Sequence, residues 1–173
     1  MEFTLQEQQA KFVNFNPRPE LHGENPKPAA DLHFAVNVPN DDLAELHPDL
    51  KGLLYVFDAT RGGDLIDEAR KEEKGYLPHL RFPKLGGPLK WKDEIIGAPV
   101  TVKYGKAKVK LDGCIVCDLK IEPQEGGTVT LGFRVQGHPT EKDAGHLYMM
   151  VGQTVEVTVE ESKYGDEPPT STE

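Results

Sequence analysis

The sequence predicts a mainly β protein, an antiparallel β-sandwich or barrel with short helices in its connections. Three observations lead there. Segments of strict apolar–polar alternation recur along the chain, the period-two signature of half-buried strands. Clusters of Gly, Pro and Asn separate them, as tight turns require. The helical patterns are few and short, whereas a doubly wound α/β fold needs a helix between most strands.

The 173 residues include 37% apolar and 28% charged side chains, the proportions of a folded domain rather than of a disordered chain. No apolar run reaches the roughly 20 residues of a membrane-spanning helix, and the start MEFTLQEQQAKF lacks the basic-then-apolar layout of a secretory signal. Two cysteines, Cys114 and Cys117, are too few for a disulfide scaffold. The expectation is a cytoplasmic protein with one β-rich domain over residues 1–160 and an acidic flexible tail over 161–173.

Taken in order, the first strand is expected over Ala10 to Phe15 and the second over Asp31 to Val38, where Leu32, Phe34, Val36 and Val38 alternate with His33, Ala35 and Asn37. Between them Pro17, Pro19, Pro26 and Pro28 with Gly23 exclude a helix or a central strand, which predicts a long connection. Asp41 or Asp42 is placed to cap a short helix through Leu43, Leu46 and His47, and Pro48 to start another turn through Leu50, Leu53 and Leu54. Apolar positions three and four apart fit elements that seal one end of a sheet. Residues 58–75 read as an exposed, mobile loop holding a short charged helix, since Gly62-Gly63 breaks the chain and Asp64 to Lys74 offers few core residues.

From Leu77 onward the pattern is β again. Leu80 and Phe82 alternate with His79 and Arg81, and RFPKLGGPLKW predicts an extended, edge-like path. Val100, Val102 and Tyr104 share one face, Gly105 permits a tight turn, and Ala107, Val109 and Leu111 share a face on the return. A second hairpin follows, with Ile115, Cys117, Leu119 and Ile121 on one face, a turn at PQEGG, then Val129, Leu131, Phe133 and Val135, while Thr130, Arg134 and Gln136 point the other way. Thr140 is a cap for a short helix over Glu141 to Met150 that buries Leu147 and Met150, and Val155, Val157 and Val159 form the last strand.

The net charge is −9, which opposes indiscriminate attraction to nucleic acid or anionic membrane. The total hides a contrast. Residues 1–80 carry 8 basic and 15 acidic side chains, residues 81–110 carry 8 and 2, and residues 111–173 carry 4 and 12. Within the basic stretch, strand alternation aligns Lys106, Lys108 and Lys110 roughly 6.6–6.8 Å apart, twice the rise per strand residue. Lys103 and Arg81 are expected to join them, with Lys90, Lys92 and Trp91 nearby. Aromatics among cations make a single-stranded nucleic-acid groove, because bases stack on the rings while ammonium groups track the backbone. A lysine stripe equally protects a sheet edge against aggregation, and it fits an acidic face on a second copy, which allows a homo-oligomer.

Catalytic signatures are missing from the chain. Cys114 and Cys117 form a CxxC without a second cysteine pair, and residues three apart on a strand point to opposite faces, so Cys117 is expected in the core and Cys114 at a strand edge. The histidines form neither HxH nor HExxH, and His138 and His146, which flank the last helix, read as hydrogen-bonded loop residues. Ser162 and Ser171 are the only serines, which leaves no nucleophile elbow. Asp41, Asp42, Asp64, Asp67 and Glu68 lack the spacing of an EF-hand and read as a solvated face. No enzyme, cofactor or metal is expected.

The stretches PELHGENPKPAADLHFAVNVPNDDLAELHPDLKGLLY, LRFPKLGGPLKW and GGTVTLGFRVQGHP resemble an uncharacterised family of tailed-phage and prophage proteins over most of residues 10–160. The resemblance implies expression inside a bacterial host and a small accessory or early-gene role. It implies no catalytic residue. The expected function is non-enzymatic binding of single-stranded nucleic acid in replication or recombination, through Lys103, Lys106, Lys108, Lys110 and Trp91 with Lys90, Lys92 and Arg81. The alternative is a protein-binding module that inhibits or sequesters a host enzyme or defence factor.

Overall fold

A computed structural model describes residues 2–61 and 65–163. The major strands are β1 (Leu5–His22), β2 (Asn25–Pro39), β6 (Ile95–Tyr104), β7 (Ala107–Pro123), β8 (Thr128–Gly137) and β9 (Thr154–Val159). Their neighbours run β7-β6-β9-β1-β2-β8, every pair is antiparallel, and β8 returns to pair with β7, so six strands close into a barrel. The expected antiparallel β architecture is therefore present, as a barrel. Closure removes the edges that an open sheet leaves exposed. A short strand β5 (Leu89–Trp91) adds to β7 beyond the end of β6, and β3 (Tyr55–Val56) pairs with β4 (His79–Leu80) in a separate two-stranded sheet.

Alternation explains the core. Leu32, Phe34, Val36 and Val38 of β2, Val129, Leu131, Phe133 and Val135 of β8, and Val155, Val157 and Val159 of β9 all point inward and are buried. The rings of Phe12, Phe34 and Phe133 form its centre, with centroids 4.8 Å apart for Phe12–Phe34 and 5.5 Å for Phe34–Phe133. One barrel end is closed by a 3-10 turn (Asn40–Glu45) and α1 (Leu50–Leu54), which bury Leu43 and Leu54, whereas Leu53, expected on the same face, is 59% exposed. No side chain caps the 3-10 turn, so neither Asp41 nor Asp42 plays the expected role. The other end is closed by α3 (Glu141–Met150), capped by Thr140, whose Oγ1 accepts from the Asp143 N–H at 3.1 Å, with Leu147 and Met150 buried beneath it. The charged helix α2 (Leu65–Arg70) buries none of its residues, and Gly62, Gly63 and Asp64 lie outside the described residues.

The proline-rich segment departs from expectation. Rather than a long connection, it is the outer part of the β1–β2 hairpin, which continues past the barrel to a two-residue turn at Gly23-Glu24 closed by His22 opposite Asn25. Counting back from that hydrogen-bonded closing pair, Leu21–Pro26, Pro19–Pro28 and Pro17–Ala30 occupy the alternate pairs whose N–H groups face away from the partner strand. All four prolines therefore sit where no ladder donor is needed. The same placement blocks strand addition along the arm's open edges.

Bulges shift the phase of β7. One extra residue near Gly113 (φ 65°) and another at Asp118 (φ 53°) break its register with β6 and β8. Cys114 and Val116 consequently point inward, while Ile115 and Cys117 pair outward, opposite Gln136 and Arg134 of β8. Cys114 is buried in the core and not at a strand edge, whereas Cys117 is buried as expected but faces outward beside Arg134, and the face shared by Ile115, Cys117, Leu119 and Ile121 is broken between Cys117 and Leu119. The barrel wall beside Cys114 is tight. A Cβ on Gly137 would lie 3.1 Å from Leu111 Cδ1 and 3.3 Å from Cys114 Sγ. Gly137→Ala is expected to cost about 1–3 kcal/mol, read as a lower urea midpoint, because both neighbours are held in the closed wall.

Candidate nucleic-acid interface

The basic residues of the central stretch fall into three places. At the β6–β7 hairpin, Lys103 stands directly opposite Lys108, Lys110 lies opposite Thr101, and Lys106 occupies the turn with Gly105. All four lysines are exposed. The expected three-lysine strand stripe is thus two strand lysines and one turn lysine. Across β6, Glu156 of β9 sits opposite Lys103 with Oε1 3.9 Å from Nζ, the one acidic neighbour this cluster has among the described ion pairs.

Tyr104 belongs to this cluster and not to the core face it was expected to share with Val100 and Val102. It is 45% exposed, and its hydroxyl lies 3.5 Å from Gln153 Oε1. The hairpin turn lifts it clear of the barrel end.

The second place is the β5–β7 groove. Leu89, Lys90 and Trp91 pair with Ile121, Lys120 and Leu119, which sets Lys90 directly opposite Lys120. Trp91 is half-buried against the core edge, and it lines an open groove of about 620 Å³ whose wall carries both cations, Lys90, Lys92 and Lys120, and carboxylates, Asp93, Glu94 and Asp118. Leu119 is nine positions beyond Lys110 on β7, roughly 30 Å at strand rise, so Trp91 and the hairpin lysines are separate patches on one strand.

Arg81 belongs to neither. Its Nε donates to the Gly52 carbonyl at 3.1 Å and its N–H to the Leu54 carbonyl at 2.9 Å, so it satisfies the free carbonyls at the end of α1. Its role is in the cap, in contrast to the expected interface role.

Outward-facing groups behind the groove form an alternating chain of charge. Asp118 contacts Arg134 (2.9 Å), Arg134 reaches Asp31 (3.6 Å), Asp31 meets Arg18 (3.2 Å), Arg18 meets Glu20 (2.7 Å), and Glu20 meets His138 (2.7 Å). This chain neutralises Asp118 at the groove wall. It also gives His138 the hydrogen bond expected of it, whereas His146 Nδ1 is buried without a partner.

Burial pushes the Cys114 thiol up to about 12 and the Cys117 thiol up as well. Thiolate is the reactive form, so both upward shifts lower the reactivity of these side chains near neutral pH. In native protein at pH 8, a disulfide-exchange reagent is expected to titrate neither thiol within the time in which it titrates both in denaturant. Rapid reaction of Cys117 in the native state would contradict its burial against Arg134.

Sequence reasoning missed Tyr104, Lys120 and Glu156. Lys120 follows directly once the Asp118 bulge is known, since the alternation resumes one residue later. Comparison with known proteins adds no constraint, as no family model, curated protein or solved structure matches this chain.

Proposed function

We propose that this protein binds single-stranded nucleic acid along the outer face of β7, as a non-enzymatic accessory factor of phage type acting in replication or recombination in a bacterial cell. The observation that carries this reading is a pair of like-charge oppositions on that strand, Lys103 with Lys108 and Lys90 with Lys120. Directly opposed like charges destabilise a sheet by several tenths of a kcal/mol each, an expense that a bound polyanion removes. The two pairs lie toward opposite ends of β7, a length that several nucleotides cover. Trp91 supplies a stacking ring at one end and Tyr104 at the other, and stacking in a groove requires unpaired bases. The acidic remainder of the chain confines an anionic ligand to this strip.

Titration of labelled single-stranded and duplex DNA at two salt concentrations, with Trp91 fluorescence followed in parallel, tests the proposal. Salt-sensitive, single-strand-preferring binding with a change in Trp91 emission is expected. Combined replacement of Lys106, Lys108 and Lys110 by Glu should abolish that binding, and milder replacement by Gln should reduce the log–log salt slope by about 2, at roughly 0.7 per lost phosphate contact. Unchanged affinity in the Glu variant overturns the reading.

A second reading, capture of a host protein, is favoured by one feature. Phe82 and Leu85 are 53% and 58% exposed beside an apolar recess of about 180 Å³ that Leu80, Leu89 and Pro123 line. It requires that Phe82→Ser with Leu85→Ser removes a discrete partner from pull-downs and leaves DNA binding intact.

A further inference from the structure

We propose that the site does not end on β7: from the Lys90–Lys120 pair the bound single strand continues around the barrel, over β8 and β2, to Lys11 on β1. This extension rests on the nucleic-acid reading and adds to it Lys11 as a phosphate contact and Gly132 as the point of closest approach.

The register of the closed barrel joins these residues in one row. Lys90 stands opposite Lys120, Lys120 opposite Gly132, Gly132 opposite Ala35, Ala35 opposite Lys11, and Lys11 opposite Thr154. Leu131 and Phe133 flank Gly132 in sequence and are buried, as Phe34 and Val36 are around Ala35 and Ala10 and Phe12 around Lys11, so the row lies on the outer surface. Lys90 and Lys11 are four strand spacings apart along it, about 19 Å. Closing a sheet into a barrel staggers its strands, so a row of opposed residues winds as it goes round and returns to its first strand displaced along it. Here the row leaves β7 at Lys120 and at Thr154 comes within two residues of Glu156, the partner of Lys103 in the hairpin cluster. The two lysine pairs that lie far apart along β7 therefore stand near the two ends of one winding row.

The charge along the middle of this row suits a polyanion. Lys11, Lys90 and Lys120 are exposed and make no ion pair among the described residues. Next to the row on β8, β2 and β1, the outward positions are Thr130, Asn37 and Gln9 on one side and Arg134, His33 and Asn14 on the other, with no carboxylate among them. Carboxylates stand beside the row towards its ends, Asp93 and Glu94 beyond Trp91, Asp118 and Glu122 on β7, and Glu156 on β9. Of these, Asp118 is held by Arg134 at 2.9 Å and Glu156 faces Lys103.

Gly132 points to the same crossing. Its φ lies outside the left-handed region, and a Cβ built on it would meet nothing closer than Lys120 Cβ and the Phe34 carbonyl, both at 3.8 Å. Neither backbone conformation nor packing requires a glycine there. Glycine inside a strand weakens it and marks a place where another backbone approaches closely. With Ala35 beside it, Gly132 keeps the surface low between Lys120 and Lys11, so a sugar–phosphate backbone can lie against the sheet with an ammonium group on either side. The curvature selects the ligand. A single strand follows the wall of a six-stranded barrel, whereas duplex DNA, with a persistence length of about 50 nm, does not.

Affinity for a labelled single-stranded oligonucleotide is compared for the parent, Lys11→Glu, Lys11→Gln, Gly132→Val and, as a charge-matched control away from the row, Lys71→Glu. Lys11→Glu is expected to weaken binding about tenfold at low salt, and Lys11→Gln to lower the log–log salt slope by about 0.7, one phosphate contact. Gly132→Val is expected to weaken binding about fivefold while its urea midpoint holds or rises, since valine suits a strand better than glycine. A sounder fold with weaker binding is a combination that loss of structure does not produce. Lys71→Glu should bind as the parent does.

Parental affinity in both Lys11→Glu and Gly132→Val, with binding still lost when Lys106, Lys108 and Lys110 are replaced by Glu, overturns the extension and leaves the nucleic-acid reading standing. Equal weakening by Lys71→Glu and Lys11→Glu also overturns it, as an effect of net charge alone. Absence of single-strand binding by the parent overturns both. If Gly132→Val lowers the midpoint, the Lys11 variants, at an exposed position, decide the outcome.

Discussion

Replacing Phe34 by alanine is expected to lower the unfolding free energy by about 3–5 kcal/mol, a large part of the roughly 5–15 kcal/mol that holds a domain folded. Phe34 is 2% exposed and lies on β2 between β1 and β8. Its ring stacks on Phe12 at 4.8 Å and meets Phe133 at 5.5 Å, and Phe133 in turn takes the edge of Phe3 at 5.4 Å. Truncation at the middle of this row therefore removes contacts on both sides. The cavity cannot collapse easily, because the surrounding wall is a closed ring of hydrogen-bonded strands with a fixed circumference. Urea unfolding should show a lower midpoint with an unchanged slope, and Phe34→Leu should recover more than half of the loss. A loss below about 1 kcal/mol for the alanine variant would mean that the aromatic row does not carry the core.

The strands were legible because burial on one face leaves a period of two. Leu32 to Val38, Val129 to Val135 and Val155 to Val159 alternate without interruption and occupy the inward positions the pattern assigns. The pattern loses its meaning wherever one residue is inserted, because each extra residue moves every later side chain to the opposite face. Asp118 is such a residue, and nothing in its neighbours marks it. Aspartate tolerates the left-handed region better than most residues, but it does not announce it as glycine does. Read back across Asp118, the bulge puts Ile115 and Cys117 on the face opposite Leu119 and Ile121, and the extra residue near Gly113 turns Cys114 into the core. The prolines of the arm misled in another way: they exclude a donor at four positions, yet a two-stranded ribbon has free edges on both sides to receive them. The candidate site was legible in composition and not in position. The lysines of residues 90–110 are basic in any fold, but whether Lys103 opposes Lys108, or Lys90 opposes Lys120, depends on register. Arg81 left the group because a backbone carbonyl at the end of α1 lies within its reach, a contact between segments 29 residues apart.

Tyr55→Ala is expected to cost about 3–5 kcal/mol and to loosen one end of the barrel before the whole unfolds. Tyr55 is fully buried at the start of β3, with its hydroxyl 2.8 Å from the Gln124 carbonyl, 3.0 Å from the Thr128 carbonyl and accepting from the Gln124 N–H at 3.0 Å. The side chain therefore pins the β3–β4 cap to the turn between β7 and β8. Other ties cross the same seam: the Gly126 N–H donates to the Pro78 carbonyl at 2.8 Å, and Asn40 Nδ2 donates to the Leu77 carbonyl at 2.8 Å. Tyr55→Phe keeps the ring and removes only the hydroxyl, which leaves the Gln124 carbonyl without its donor and should cost about 1–3 kcal/mol. The difference between the two variants thus separates packing from hydrogen bonding at one position. Local opening has its own readout, since Arg61, Arg70, Lys71 and Lys74 lie in the segment between β3 and β4. Limited trypsin digestion under native conditions should cut there faster in Tyr55→Ala than in the parent, in urea concentrations too low to unfold the barrel. Cleavage at the parent rate, with stability also unchanged, would show that the cap is held by the Gly126 and Asn40 ties and not by Tyr55. If cleavage accelerates while single-stranded DNA binding persists, the cap is independent of the β7 face, as the separation of Arg81 from the hairpin lysines requires.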